Sequence, residues 1–208
     1  MERTIVIFAN SVKNNAHCVA GKCIQSLEWI RPVSTINGTA LSANQIKCKN
    51  PYGSFAAKTL QKVRMRFEQH TPLINQPENY LISSDTWVQD FKIELHEMSK
   101  YLDNLEDIWG KTDRVNYGDI KNEKISIKQS LCLLQINDLK LYLNRYNKRR
   151  AIFSYKNITY DLATTDPNFD NLIKQYQFPI TSAMVCVSLG EPYTDDQCYK
   201  IVAGIFIV

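Results

Sequence analysis

Three stretches of the chain bring together side chains that suit binding chemistry. The first holds Asn10, Ser11 and Lys13, then Cys18, Gly21-Lys22 and Trp29-Ile30-Arg31-Pro32-Val33-Ser34. An amide, a hydroxyl, two ammonium groups and a guanidinium near strand ends are donors for a phosphate, and Arg31 is able to engage one bidentately. The same residues equally suit solvated loops, with Trp29 in the core and Arg31 paired to an acid. Gly21-Lys22 is no P-loop, because the preceding glycine and the following Ser/Thr are missing.

The second stretch is Lys148-Arg149-Arg150, flanked by Tyr142, Tyr146, Phe153, Tyr155 and Tyr160. Cations that follow a phosphate backbone, interleaved with rings that stack on bases, are what single-stranded nucleic acid requires. The alternative is a charged hairpin whose rings cover a core, and strand alternation alone assigns half of them there. The third stretch, Ser188 to Tyr193, ends a strand in a turn carrying Glu191 and Tyr193. Glu191 suits a general base, or a structural partner for Arg31 or Arg150.

Catalytic signatures are missing. His17, His70 and His96 belong to no Ser/Cys triad or HExxH pattern, and His17 and Cys18, adjacent on a strand, point to opposite faces. A zinc site from His17, Cys18, Cys23 and Cys48 lacks the two-residue gap that sets up tetrahedral thiolate ligation. The expectation is a binding protein more than an enzyme, with no catalytic residue, metal or cofactor assigned.

These residues need elements to position them. Thr4 to Ala9 reads as a buried strand and Asn10 to Asn15 as a loop; Val19 to Lys22 and Trp29 to Val33 read as further strands. Lys62 to Phe67 alternates, giving a wet face with Lys62, Arg64 and Arg66. From Asp85 the spacing of Trp87, Val88, Phe91, Leu95, Met98, Leu102, Leu105 and Ile108 predicts a helical insert. Ser130 to Ile136 and Lys140 to Tyr146 read as two strands around a hairpin-like gap at Asn137-Asp138-Leu139. Arg150 to Tyr155 and Thr159 to Leu162 follow, then a helix capped by Asp166 with Pro167 at its first position, then strands at Ala183 to Leu189 and Tyr199 to Val208.

With 208 residues, 44% of them hydrophobic, the chain has enough apolar surface for a real core. No apolar run approaches a membrane span, and Thr4 to Ala9 is too short for a signal-peptide core, so a cytoplasmic protein without membrane partners is expected. At this size six cysteines are not needed as staples, and Cys132 and Cys186 sit in apolar runs that suit reduced thiols. The net charge is +4, unevenly spread: residues 1–85 carry 10 Lys/Arg against 5 Asp/Glu, 86–126 carry 6 against 9, and 127–208 carry 9 against 7.

The chain resembles an uncharacterised bacterial family described as containing a dual OB-fold domain. The resemblance rests on Thr4-Ile5-Val6-Ile7 running into Ala9-Asn10-Ser11 with Lys13, on Cys18 to Lys22, on Trp29 to Ser34 and on Arg149-Arg150-Ala151. It continues through Thr165-Asp166-Pro167 and Cys186 to Tyr193 with Tyr199-Lys200, nearly the whole chain. It implies two OB-type barrels, a fold often used for oligonucleotides, and brings no catalytic role.

The sequence therefore predicts a mainly β, α+β protein: an OB-like β-barrel at 1–84, a helical insert and linker at 85–124, and a second OB-like β-barrel at 125–208. Its expected partner is single-stranded DNA or RNA, bound with little sequence preference. The candidate binding residues are Asn10, Ser11, Lys13, Lys22, Arg31, Arg64, Arg149, Arg150, Tyr155, Tyr160, Glu191 and Tyr193. Two readings stand beside this one: a binding protein or enzyme for a nucleotide or phosphate-containing small molecule, its phosphate held by Lys22, Arg31 and Arg150 and its ribose or a water oriented by Glu191, and an interaction module with protein partners in a bacterial defence or DNA-processing system.

Overall fold

Ile5, Val6, Ile7 and Phe8 form a run of β-branched and aromatic residues without an exposed member, and they anchor the first strand, β1 (Glu2–Lys13). The computed structural model describes every residue except 14, 15, 177 and 178, and every side chain of those described except that of Lys13. The chain divides into two units, Met1–Tyr101 and Leu102–Val208.

In the first unit β1 is followed by β2 (Ala16–Cys23), β3 (Trp29–Val33), a hairpin of β4 (Lys47–Asn50) and β5 (Gly53–Ala56), then β6 (Gln61–His70), β7 (Asn79–Ile82) and β8 (Trp87–Lys92). The order β1-β2-β3-β7-β6 closes through β1–β6 pairing, with β3 and β7 parallel and the other neighbours antiparallel. That is the connectivity of a five-stranded OB barrel. Ile5, Ile7, Val19, Ile30, Met65 and Phe67 fill its interior. Phe8 is the extra residue of a bulge between Ile7 and Ala9, and its ring packs on Trp29 at 6.1 Å and on Tyr101 at 5.3 Å. Opposite this kink stands Gly21, where a Cβ would lie 2.1 Å from the Val6 carbonyl oxygen, so only glycine lets β2 pass. Beyond the bulge the strand continues to Lys13; Asn10 to Lys13 are strand and not loop, while Asn14 and Asn15 fall outside the described residues.

The expected helical insert over 85–124 is corrected. Trp87 to Lys92 is strand β8, antiparallel to β6 and parallel to β4, and Trp87 reaches the barrel core. Trp87, Val88 and Phe91 satisfy a helical spacing, yet β7 leaves the Gln61–Arg64 edge of β6 unpaired, and its backbone groups find their partners in β8. A 3-10 helix, Leu95–Tyr101, ends the unit.

The second unit holds β9 (Arg114–Asn116), α1 (Tyr117–Lys121), β10 (Leu131–Leu143), β11 (Arg149–Tyr155), β12 (Ile158–Thr164), α2 (Phe169–Gln175), β13 (Ala183–Pro192) and β14 (Gln197–Ile207). The order β12-β11-β10-β13-β14 closes through a parallel β12–β14 pairing, giving a second five-stranded barrel of the same connectivity with a helix between its third and fourth strands. Leu134, Ile136, Phe153, Leu162, Val185 and Val202 lie in its core. The hairpin expected at Asn137-Asp138-Leu139 is instead a bulge in one continuous strand, β10, where Asp138 takes φ 57° and Leu139 is wholly buried. The turn of that hairpin falls later, at residues 144–148. Asp166 accepts the Asn168 backbone N–H at 2.6 Å, and α2 starts at Phe169, two residues later than Pro167 predicts.

Candidate functional site

In the first unit, the Asn10 side-chain amide donates to the Ala57 carbonyl at 2.6 Å, and its oxygen lies 3.1 Å from His17 Nδ1. Ser11 is buried, and Lys13 is placed only as the last residue of β1. Lys22 is 4% exposed with Nζ 5.2 Å over the Trp29 ring, and Arg31 is 7% exposed with Nε and Nη2 on Glu78 Oε1 at 3.2 and 3.1 Å. The phosphate cradle expected from Lys22 and Arg31 is therefore not presented to solvent. All five residues of β3 are buried. Arg64 does lie on an open face, 3.6 Å from Asp90.

In the second unit, Arg150 stands on the outer face of β11 and donates from Nε to Asp161 Oδ1 at 2.9 Å. Tyr142 donates its hydroxyl to the other oxygen of the same carboxylate at 2.5 Å, and that bond pushes the phenol's pKa up. Arg149 reaches Asp170 at 2.5 Å and lies 5.6 Å over the Phe169 ring. Each arginine of the predicted pair thus has an acid of its own. Of the two rings expected to stack on bases, Tyr160 is corrected, while Tyr155 is half-buried. Tyr160 is 1% exposed in the core, accepting from the Ile108 N–H at 3.1 Å and donating to the Gly110 carbonyl at 3.2 Å; Tyr155 donates to the Leu105 carbonyl at 2.9 Å. Burial raises the pKa of both phenols.

The loop between β10 and β11 offers what those residues do not. Asn144 Oδ1 accepts the backbone N–H groups of Tyr146 at 2.9 Å and Lys148 at 3.0 Å, and Asn147 takes φ 57° to complete the turn. Tyr146 is 65% exposed and the Arg145 guanidinium lies 4.7 Å from its ring. Among the described residues, Arg145, Lys148 and the nearby Lys140 form no ion pair, and all three are exposed. Sequence reasoning placed Lys148 in the basic triplet and Tyr146 on its flank without choosing either as a binding residue; the turn chemistry of Asn144 and Asn147 was the available signal.

At the far end of the barrel, the loop between β13 and β14 is acidic. Tyr193 packs edge-on against Tyr199 at 6.3 Å, and Tyr199 donates to Asp195 at 2.6 Å, a bond that lowers the carboxyl's pKa and raises the phenol's. Arg114 stacks over Tyr199 at 4.7 Å while held by Asp113 at 2.8 Å. Glu191 is exposed and makes no hydrogen bond or ion pair among the described residues. Deeper in, Lys200 is 1% exposed and donates to the carbonyls of Gly110 at 2.8 Å and Thr112 at 2.5 Å; burial lowers its pKa to about 8.

The six cysteines are free thiols, and among the described residues no three His, Cys, Asp or Glu side chains gather to hold a metal. No helix among them is long and apolar enough to cross a membrane.

A family model, the dual OB-containing domain, matches residues 3–205. The chain belongs to this family. No curated protein and no solved structure matches it. In an OB barrel, ligands take the face of the second and third strands and the loops after the first and fourth. In this dual OB domain those positions correspond, on the second barrel, to β11 and β12, the loop 144–148 and the acidic turn 193–196. On the first barrel the strands in question, β2 and β3, are largely buried.

Proposed function

We propose that the dual OB domain binds single-stranded nucleic acid, DNA or RNA, with little sequence preference and without transforming it. The reading is carried by the loop 144–148, which holds an exposed ring and cations without an ion pair among the described residues, at an OB ligand position. Phosphates would follow Arg145, Lys148 and Lys140, and a base would stack on the face of Tyr146 that Arg145 leaves open. The acidic turn at 193–196 would repel a polyanion, so the strand would run along the basic end of the barrel. The rival small-molecule reading loses two anchors, since Lys22 and Arg31 are buried. Six free thiols accord with a reducing, cytoplasmic setting.

Fluorescence anisotropy of labelled single-stranded DNA and RNA at low salt tests this. The expected result is micromolar or tighter binding of unrelated sequences, weakening with salt by roughly 0.7 log units per tenfold salt for each phosphate contacted. Absence of any shift at micromolar protein would overturn it.

A further inference from the structure

The charge of the two units differs in a way the chain's ends conceal. Met1–Tyr101 carries 12 Lys/Arg against 8 Asp/Glu, and Leu102–Val208 carries 13 against 13, so the whole net charge resides in the first unit. That unit also bears a groove of about 710 Å³ lined from β1, β4, β6 and β8 and by Ile24, the residue after β2. Its wall is set by register: Lys62 stands opposite Phe91, Val88 lies between Arg64 and Lys49, and Thr4 opposes Arg64. Phe91 is 73% exposed, an unusual exposure for a ring on a strand, and Tyr52 at the β4–β5 turn is 89% exposed.

The acids on this side are already answered. Asp90 meets Arg64 at 3.6 Å, and Glu97, whose pKa is lowered first by the Glu94 backbone N–H and then by Lys100 and Lys62, meets Lys100 at 3.9 Å. Lys49 and Lys62 form no ion pair or hydrogen bond among the described residues. Two ammonium groups, those of Lys49 and Lys62, therefore border an apolar floor of Val88 and Phe91, the second within the field of Glu97 but without an ion pair to it, and the Asn50 amide is fixed beside them by Gln89 at 3.1 Å.

We propose that this groove is a second contact site for single-stranded nucleic acid, built by the β4–β5 hairpin and β8 that this chain adds to its first barrel. A base stacks on Phe91, and the flanking phosphates lie at Lys49 and Lys62. The ligand class rests on the function proposed above, while the placement rests on the groove alone. Charge separates this occupant from an apolar partner, since an apolar partner would bury two ammonium groups without an anion to meet them.

The test is anisotropy with a fluorescein-labelled 20-nucleotide oligo(dT), comparing wild type, Lys49→Glu with Lys62→Glu, Phe91→Ala, and Arg145→Glu with Lys148→Glu. All of these side chains are solvent-accessible, and thermal melts confirm that each variant folds. The groove pair is expected to bind at least tenfold more weakly, with a salt slope smaller by roughly 1.4, that is about 0.7 for each phosphate lost. Photo-crosslinking of a bromodeoxyuridine oligonucleotide to the wild-type protein is expected to mark the peptide containing Phe91. If the wild type binds and the loop variants weaken while the groove variants do not, the groove proposal is overturned and the functional reading stands. If the wild type does not bind at all, both fall. If the wild type is a dimer by sedimentation and the groove variants are monomers with unchanged oligonucleotide affinity, the groove is a self-association surface and the proposal is overturned.

Discussion

Arg31 and Glu78 form an ion pair with Nη2 3.1 Å from Oε1, and both side chains are less than a tenth exposed. The same two residues share a backbone hydrogen bond, Arg31 N–H to Glu78 C=O at 2.8 Å, beside the parallel β3–β7 pairing, without which the barrel that β1–β6 completes could not close. Truncating Glu78 takes from the buried Arg31 guanidinium the carboxylate it meets at 3.1 Å. Glu78→Ala is expected to cost about 3–5 kcal/mol in urea unfolding. Glu78→Gln, which keeps an acceptor, should cost less, and a cost near zero for both would show that the pair is not holding the closure.

Gly21 tests the same barrel at its kink. A methyl group there meets the Val6 carbonyl at 2.1 Å, and backbone atoms on both strands would have to move. Gly21→Ala should destabilise the domain by at least about 1–3 kcal/mol, the range of overpacked cores. An unchanged melting temperature would contradict the close approach of β1 and β2.

Much of this architecture was legible in the sequence. The apolar run Thr4 to Ala9, the alternation Lys62 to Phe67 and the family motifs placed the barrels, and β6 does present Arg64 outward. Two features were hidden for identifiable reasons, and a third, the pairing of Arg31 to an acid beside a buried Trp29, was one of two readings the residue types left open. A bulge at Asn137 to Leu139 looks like a turn because polar residues interrupt the run, although Leu139 is buried. Trp87 to Lys92 carries a pattern that fits either period, and pairing with β6 decided it. Lys22 and Arg31 look solvent-bound by type, yet Trp29 and Glu78 take them in. The groove at Phe91 could not be read, because the helical spacing assigned that ring to a core.

Lys200 predicts a dependence on pH. Its pKa falls to about 8 from the usual 10.5 because it is buried. Below pH 8 both the folded and unfolded chains hold the proton, and the cost of burying the charge is fully present. Between pH 8 and 10.5 the folded chain has released the proton and the unfolded chain has not, so this group makes stability rise with pH. Over the whole window the rise is roughly 3 kcal/mol. Cys198 opposes it from pH 9, because burial raises that thiol to about 11 and the unfolded chain ionises first. Comparing the wild type with Lys200→Met separates the two: the difference in unfolding free energy should shift in favour of the wild type between pH 8 and 9.5. Parallel curves would show that Lys200 keeps an ordinary pKa.

Tyr160 separates a structural ring from a binding one. Tyr160→Phe leaves the core ring but removes the hydroxyl between Ile108 and Gly110, leaving a buried N–H without its acceptor. A loss of about 1–3 kcal/mol in stability is expected, with oligonucleotide affinity unchanged in the folded protein. A variant that folds normally but binds weakly would return Tyr160 to the interface.

The loop 144–148 carries the final prediction, which weighs paired against unpaired cations. Arg150 and Asp161 neutralise each other on the outer face of β11 and β12, so replacing both with alanine leaves the charge of that face unchanged. Arg145 and Lys148 have no such acid among the described residues, and replacing both with alanine removes two positive charges from an OB ligand loop. The first double variant is expected to bind oligo(dT) like the wild type. The second should bind more weakly, with a salt slope smaller by roughly 1.4. Tyr146→Ala should add a loss of about 1–3 kcal/mol at every salt concentration, because stacking on the exposed ring does not depend on counterion release. Asn144→Ala should weaken binding as well while leaving every charge in place, since its side chain holds the Tyr146 and Lys148 backbone in the turn. If the Arg150 and Asp161 pair matters and the loop does not, the strand lies across the β11–β12 face itself, and Lys140 beside Ile152 becomes the next cation to replace.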